Sequence, residues 1–157
     1  ADNESAQSAT SRTLRISTTG ENLFDSCTIG VDTITRTQAN ASLEFAAGVA
    51  RNTFRNCVFP FMTSAATPLG ILGTGAACMD RWQVFDNCIF VNNIKSTSTV
   101  MTVLGSLTSA SPGGLLIFKQ CILLGIGEYG DANGLANSYI DGFTGVAGTS
   151  GIAVNPS

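Results

Sequence analysis

Histidine is absent from all 157 residues. That removes the commonest general base and the commonest metal ligand. Charge is also scarce: Asp, Glu, Lys and Arg make up 12% of the chain, about half the share of an ordinary soluble domain. The eight basic residues are outnumbered by eleven acidic ones and form no block, so nucleic acid is not expected as a partner. No apolar run approaches the roughly 20 residues of a membrane-spanning helix, and no membrane partner is expected either. The five cysteines are odd in number and contain no CxxC pair, which supports neither a disulfide framework nor a zinc site. Reduced, buried thiols acting as small apolar groups fit better, and a reducing cytosol permits them. No cofactor or metal is expected. The chain opens at Ala1 without Met and without a basic-then-apolar leader, as a processed product or an excised domain does.

What is present is apolar and repetitive. Hydrophobic residues reach 44% but come in short bursts divided by Ser, Thr, Asn and many of the 17 glycines. One β-rich domain with frequent turns is the expectation. The segments Asn22–Ile29, Asn52–Phe59, Gln83–Phe90 and Leu116–Leu123 all read Phe-x-polar-Cys-x-apolar. Their cysteines, Cys27, Cys57, Cys88 and Cys121, lie 30, 31 and 33 residues apart. A second set, Leu14/Ile16, Leu43/Phe45, Leu69/Ile71 and Met101/Val103, drifts with a similar period, its first members 29, 26 and 32 residues apart. A unit of two short strands cannot bury its own inner face, but a stack of such units can. The expected fold is therefore all-β: a single-stranded right-handed parallel β-helix of about four coils.

In such a stack, equivalent residues form ladders at the strand spacing of about 4.8 Å. Phe24, Phe54, Phe85 and Phe118 would line the inner wall, as would Cys27, Cys57, Cys88 and Cys121. A spacing of three would point Phe and Cys to opposite faces of an unbroken strand. A bend is therefore expected at Ser26, Asn56, Asn87 and Gln120. Asn tolerates the left-handed backbone, and Asn56 and Asn87 can bond their stacked neighbours. Ser and Gln suit that position less, so the end coils should be less regular. Between Phe and the bend, Asp25, Arg55, Asp86 and Lys119 alternate in sign, and stacked outward they would oppose pairing of the first coil with the third.

The coils are expected over 14–134, with 1–13 a polar N-terminal arm and 135–157 a C-terminal cap or tail holding Tyr139, Ile140 and Phe143 as late apolar anchors. Asp32–Ala41 reads as an exposed loop or edge, and Gly125–Gly134 as the end of the last regular coil. A stack of parallel strands leaves unpaired edges at both ends, and the low charge protects them weakly, so a partner is expected.

No constellation carries obvious chemistry. A polysaccharide lyase or hydrolase needs clustered carboxylates or a calcium site. Asp25 and Asp86, two coils and roughly 9.6 Å apart on the strand spacing, are the nearest pair, and a charge ladder explains them more simply. Gly130-Asp131-Ala132-Asn133-Gly134 faintly resembles a calcium loop but lacks the later Glu, and reads as a tight turn. The cysteine column reads as inert core rather than a metal or redox site. Cys78 reads as small-residue packing. Trp82 fits an interface anchor and a strand-edge packing role equally well.

The stretch Cys27–Thr37, then Ala39-Asn40-Ala41, Leu43-Glu44 and Arg51–Cys57, resembles structural proteins of tailed bacteriophages. It spans less than a third of the chain and brings no catalytic motif, so no functional residue carries over. The resemblance implies a virion component: a capsid decoration protein or a projecting domain of a capsid protein, located in the virion and assembled in the host cytoplasm. The leading reading is a structural, non-enzymatic module that forms a homotrimer or docks on the major capsid protein or another virion protein. The alternatives are a carbohydrate-binding or carbohydrate-cleaving tailspike-like β-helix and a bacterial adhesin module.

Overall fold

A computed structural model describes residues 10–17, 19–38, 41–46, 48–63, 69–74, 78–92, 102–105, 116–124, 128–130, 138–141 and 144–146. These residues form strands, turns and bends, with no helix among them, and so no helix long and apolar enough to cross a membrane. The short Val-, Ile-, Phe- and Thr-bearing bursts become strands of three to six residues in three parallel sheets. The first sheet stacks β1 (Leu14–Ile16), β4 (Leu43–Ala46), β7 (Leu69–Thr74), β10 (Thr102–Gly105) and β13 (Glu128–Gly130). The second stacks β2 (Asn22–Asp25), β5 (Asn52–Arg55), β8 (Gln83–Asp86), β11 (Leu116–Lys119) and β14 (Ser138–Asp141). The third stacks β3 (Val31–Arg36), β6 (Val58–Thr63), β9 (Ile89–Asn92), β12 (Ile122–Leu124) and β15 (Thr144–Val146). The chain visits the three sheets in rotation, and every strand pairs in parallel with the strand three places along.

Two features differ from the sequence expectation. The repeat holds three strands rather than two, because the residues after each Cys begin a further strand. A fifth repeat also follows the expected four: β13 falls within Gly125–Gly134, and β14 and β15 fall in the segment read as cap or tail.

The second-strand set also aligns differently. Leu14 pairs with Leu43, as the spacing suggests, but Leu43 then pairs with Ile71, and Ile71 with Leu104. Leu69 pairs with Thr102 instead. A slip of two residues keeps the same face inward, so hydrophobic pattern alone cannot exclude it. Met101 lies outside the described residues.

Asp32–Ala41, read as a loop or edge, is largely the edge strand β3. Its pairing with β6 is irregular: Val31 faces Phe61 and Arg36 faces Thr63, so several extra β3 residues bulge between the two registers. The irregularity explains two anomalies. Pro60 has no N–H to donate, and its place in β6 lies beside this broken ladder. Gly30 has φ 146°, and a Cβ there would overlap the Pro60 carbonyl oxygen. Within the expected arm, residues 12 and 13 are held in place: Thr13 N–H donates to Ser42 O at 3.0 Å, and Arg12 pairs with Glu44. Residues 1–9, and 131–134 of the calcium-like stretch, lie outside the described residues.

The inward residues of all three sheets share one core. Leu43, Phe45 and Ile71 come from the first sheet, Phe54, Phe85 and Phe118 from the second, and Phe59, Phe90 and Leu123 from the third. Rings stack along each wall and meet edge-on between walls. Phe54 lies 5.8 Å from Phe59 at 63° and 6.3 Å from Phe45 at 66°. Both geometries suit the ring quadrupole.

Candidate functional site

The corner between the second and third sheets repeats most regularly. It begins with the four Phe rings, stacked 4.8, 4.8 and 5.0 Å apart between Phe24, Phe54, Phe85 and Phe118. That separation is the rung spacing itself, so one strand pairing sets both the backbone ladder and the ring stack. Three of the rings are fully buried, while Phe24, in the first rung, is only half-buried.

Two residues beyond each ring the chain turns through a left-handed residue. Ser26, Asn56, Asn87 and Gln120 have φ of 56°, 55°, 52° and 52°. One left-handed residue reverses the strand alternation, so Phe54 and Cys57, three apart, are both fully buried. The side chains differ in what they add. Asn87 Nδ2 donates to Asn56 Oδ1 at 2.8 Å, and Asn56 Nδ2 donates to Asp25 Oδ1 at 3.3 Å.

The cysteines follow the bend. Cys57, Cys88 and Cys121 are buried and Cys27 is partly exposed; all are free thiols, as is Cys78. Each inner thiol lies against two backbone carbonyls: Cys57 Sγ at 3.4 Å from Phe24 O and 3.3 Å from Arg55 O, and Cys88 Sγ at 3.4 Å from Phe54 O. Cys121 Sγ does the same to Phe85 O and Lys119 O, both at 3.4 Å. A thiol is small enough for this corner and still donates weakly to carbonyls. Burial pushes the Cys57 and Cys78 thiols up. The hydrogen bond with Cys121, and burial after it, push Cys88 up. Thiols held protonated in this way are poor nucleophiles and poor metal ligands. Among the described residues, no group of three or more Cys, Asp or Glu is placed to hold a metal ion.

The charged column runs outside this corner. Asp25 pairs in register with Arg55, Arg55 with Asp86, Asp86 with Lys119, and Lys119 with Asp141 of the fifth rung. The signs alternate through all five positions. Arg55 donates to Asp25, and this bond and its charge hold the Asp25 carboxyl below its ordinary value; the same contact raises Arg55. Asp25 and Asp86, the only carboxylates considered above as a glycosidase pair, therefore have a cation between them in register.

Two polar clusters carried no signal that spacing could reveal. At the start of the second sheet, Asn22 Nδ2 donates to Asn52 Oδ1 at 2.7 Å, and Asn52 Nδ2 donates to Gln83 Oε1 at 2.8 Å. Asn52 and Gln83 are buried. Their lead-in role was hidden because each precedes the repeated Phe by two residues of varied type. On the first sheet, Glu44 is buried although it alternates with the inward Leu43 and Phe45. Arg12 Nε lies 2.8 Å from its carboxylate, Arg15 Nε lies 3.4 Å away, and Thr74 Oγ1 donates to it at 2.6 Å. Burial opposes the charged carboxylate, but Thr74 and the two guanidinium groups outweigh it and hold the Glu44 carboxyl below its usual range. Nearby, buried Arg36 donates to Ser42 Oγ at 2.9 Å and Thr13 Oγ1 at 3.2 Å.

The outer face of the third sheet is apolar. Val58, Ile89 and Ile122 form one register column, and Pro60, Val91 and Leu124 form the next. All but Pro60 keep some exposure, Leu124 the most. Trp82 is also exposed, next to an Asp80–Arg81 ion pair of 2.6 Å. Comparison with protein families, with curated proteins and with solved structures finds no match.

Proposed function

We propose that the three sheets are the walls of one right-handed parallel β-helix of five three-strand turns. We further propose that this solenoid is a structural surface module of a virion. The rotation of the chain through the sheets supports the helix, and the strong right-handed preference of parallel crossovers supports its hand. The observation that carries the structural role is the outer face of the third sheet. Val58, Ile89, Val91, Ile122 and Leu124 retain exposure there, and no charge lies among them. A flat apolar face of this kind calls for a cover, and a rigid sheet can meet a copy of itself or a capsid lattice without rearranging. The phage assignment rests on the resemblance of the Cys27–Cys57 stretch to tailed-phage structural proteins. In this reading the chain decorates or stabilises the capsid as a homotrimer seated on the major capsid protein.

The test is mass in solution by light scattering, followed by detection of the chain in purified particles. The native chain should be trimeric and virion-borne. The double substitution Ile89→Asp with Leu124→Asp should give a folded monomer that no longer associates with particles. A native monomer absent from particles would sink the reading.

A further inference from the structure

We propose that the outer edge of the first rung, Asn22–Asp25 with Cys27, is a docking surface for a parallel strand of a second polypeptide that carries an arginine or lysine opposite Asp25. The edge is a rung with one neighbour missing. Phe24 is half-buried, while Phe54, Phe85 and Phe118 below it are fully buried. Cys27 is partly exposed, while the three thiols below it are buried. Leu23 is 60% exposed. In the amide ladder each donor points to the next rung and each side-chain oxygen faces the previous one. Asn22 Oδ1 therefore faces outward, ready to accept an N–H from a preceding rung. Among the described residues, β2 is bonded on one side alone, to β5.

The charged column decides what fits. Arg55 has an acidic residue in register on both sides, whereas Asp25 has a cation on one side alone. The next position in the alternation is basic. The chain's own C-terminal rung does not satisfy it: Asp141 occupies that column, so an end-to-end stack of two copies sets Asp141 against Asp25. An odd number of alternating charges makes both ends acidic and rejects self-stacking, which is specificity by repulsion. Residues 1–9 do not supply the complement either, for Ala-Asp-Asn-Glu-Ser-Ala-Gln-Ser-Ala contains neither a basic nor an aromatic residue. The fitting strand places an amide donor over Asn22, an aromatic or aliphatic side chain over Phe24 and a basic residue over Asp25. Main-chain bonds along the edge supply the affinity, and the three side chains supply the register.

The probe is a labelled peptide copying residues 50–60, with Ser in place of Cys57, because this rung already stacks on β2 from the other side. Its partner probe carries Arg55→Asp. Anisotropy titration of the full chain should show saturable binding, about two- to five-fold tighter for the Arg peptide at low salt. The preference should reverse in Asp25→Lys, or vanish in Asp25→Asn if the lysine variant folds poorly. Bound peptide should also slow alkylation of Cys27. Absence of binding by either peptide overturns the proposal, as does binding that ignores both charge swaps or leaves Cys27 equally reactive. This outcome is independent of the trimer test, which reads the outer face of the third sheet.

Discussion

At the residue scale, the same side chain does different work at different heights in the stack. Phe85 is sandwiched between Phe54 and Phe118 and touches Phe59 and Phe90 edge-on. Phe24 has a stacking partner in Phe54 and is half-buried. Phe85→Ala should therefore cost about 3–5 kcal/mol, and Phe24→Ala distinctly less, in paired urea unfolding curves. The left-handed column gives a finer contrast. Asn tolerates φ near 55°, whereas Gln does so at a cost, yet Gln120 sits at φ 52° like the two asparagines. Gln120→Asn should raise stability by up to about 1 kcal/mol, by easing the backbone and by bringing an amide into line with the Asn56–Asn87 bond. An unchanged urea midpoint would show that the bend is set by pairing alone.

At the scale of the strand, legibility in the sequence followed redundancy. The second sheet could be aligned because two distinctive residues, Phe and Cys, recur on either side of one bend and pin the register twice. The first sheet had only aliphatic residues to align, and Leu43 faces Ile71 where Leu69 looked equivalent. The third sheet stayed hidden because its strands start directly after the cysteines and its outer residues are as apolar as its inner ones, so Val58–Thr63 shows no alternation. The fifth rung was missed because Ile140 stands in the Phe column. Glu44 was opaque for another reason: its partners Arg12, Arg15 and Thr74 are as many as 32 residues away, and only the fold brings them together. Its carboxyl lies below the ordinary 4.5 in the folded chain. The unfolded chain therefore takes up this proton first as pH falls, and the stabilisation is full above about pH 5 and lost below about pH 4. Glu44→Gln should lower stability by about 1–3 kcal/mol at neutral pH and flatten the acid limb of the stability profile. An acid limb of unchanged slope would remove Glu44 from that role.

On the scale of the whole molecule, few side chains face outward with charge, and those that do stand in a column whose order opposes mispairing. The broad apolar face of the third sheet and the single acidic edge of the first rung are then separate surfaces with separate demands, one for flat packing and one for a strand of stated charge. The parallel ladders have a further consequence, for time rather than for structure. No strand bonds to its neighbour in sequence: the partner of Phe54 is Phe24 or Phe85, about thirty residues away in either direction. Each loop must close before any bond forms to reward it, so folding should be slow, in the range of milliseconds to seconds typical of nonlocal β topologies. Once two rungs have met, however, every later rung lands on a finished template of rings, amides and alternating charges. The slow event is the first pairing, and growth from there runs outward to the two acidic ends.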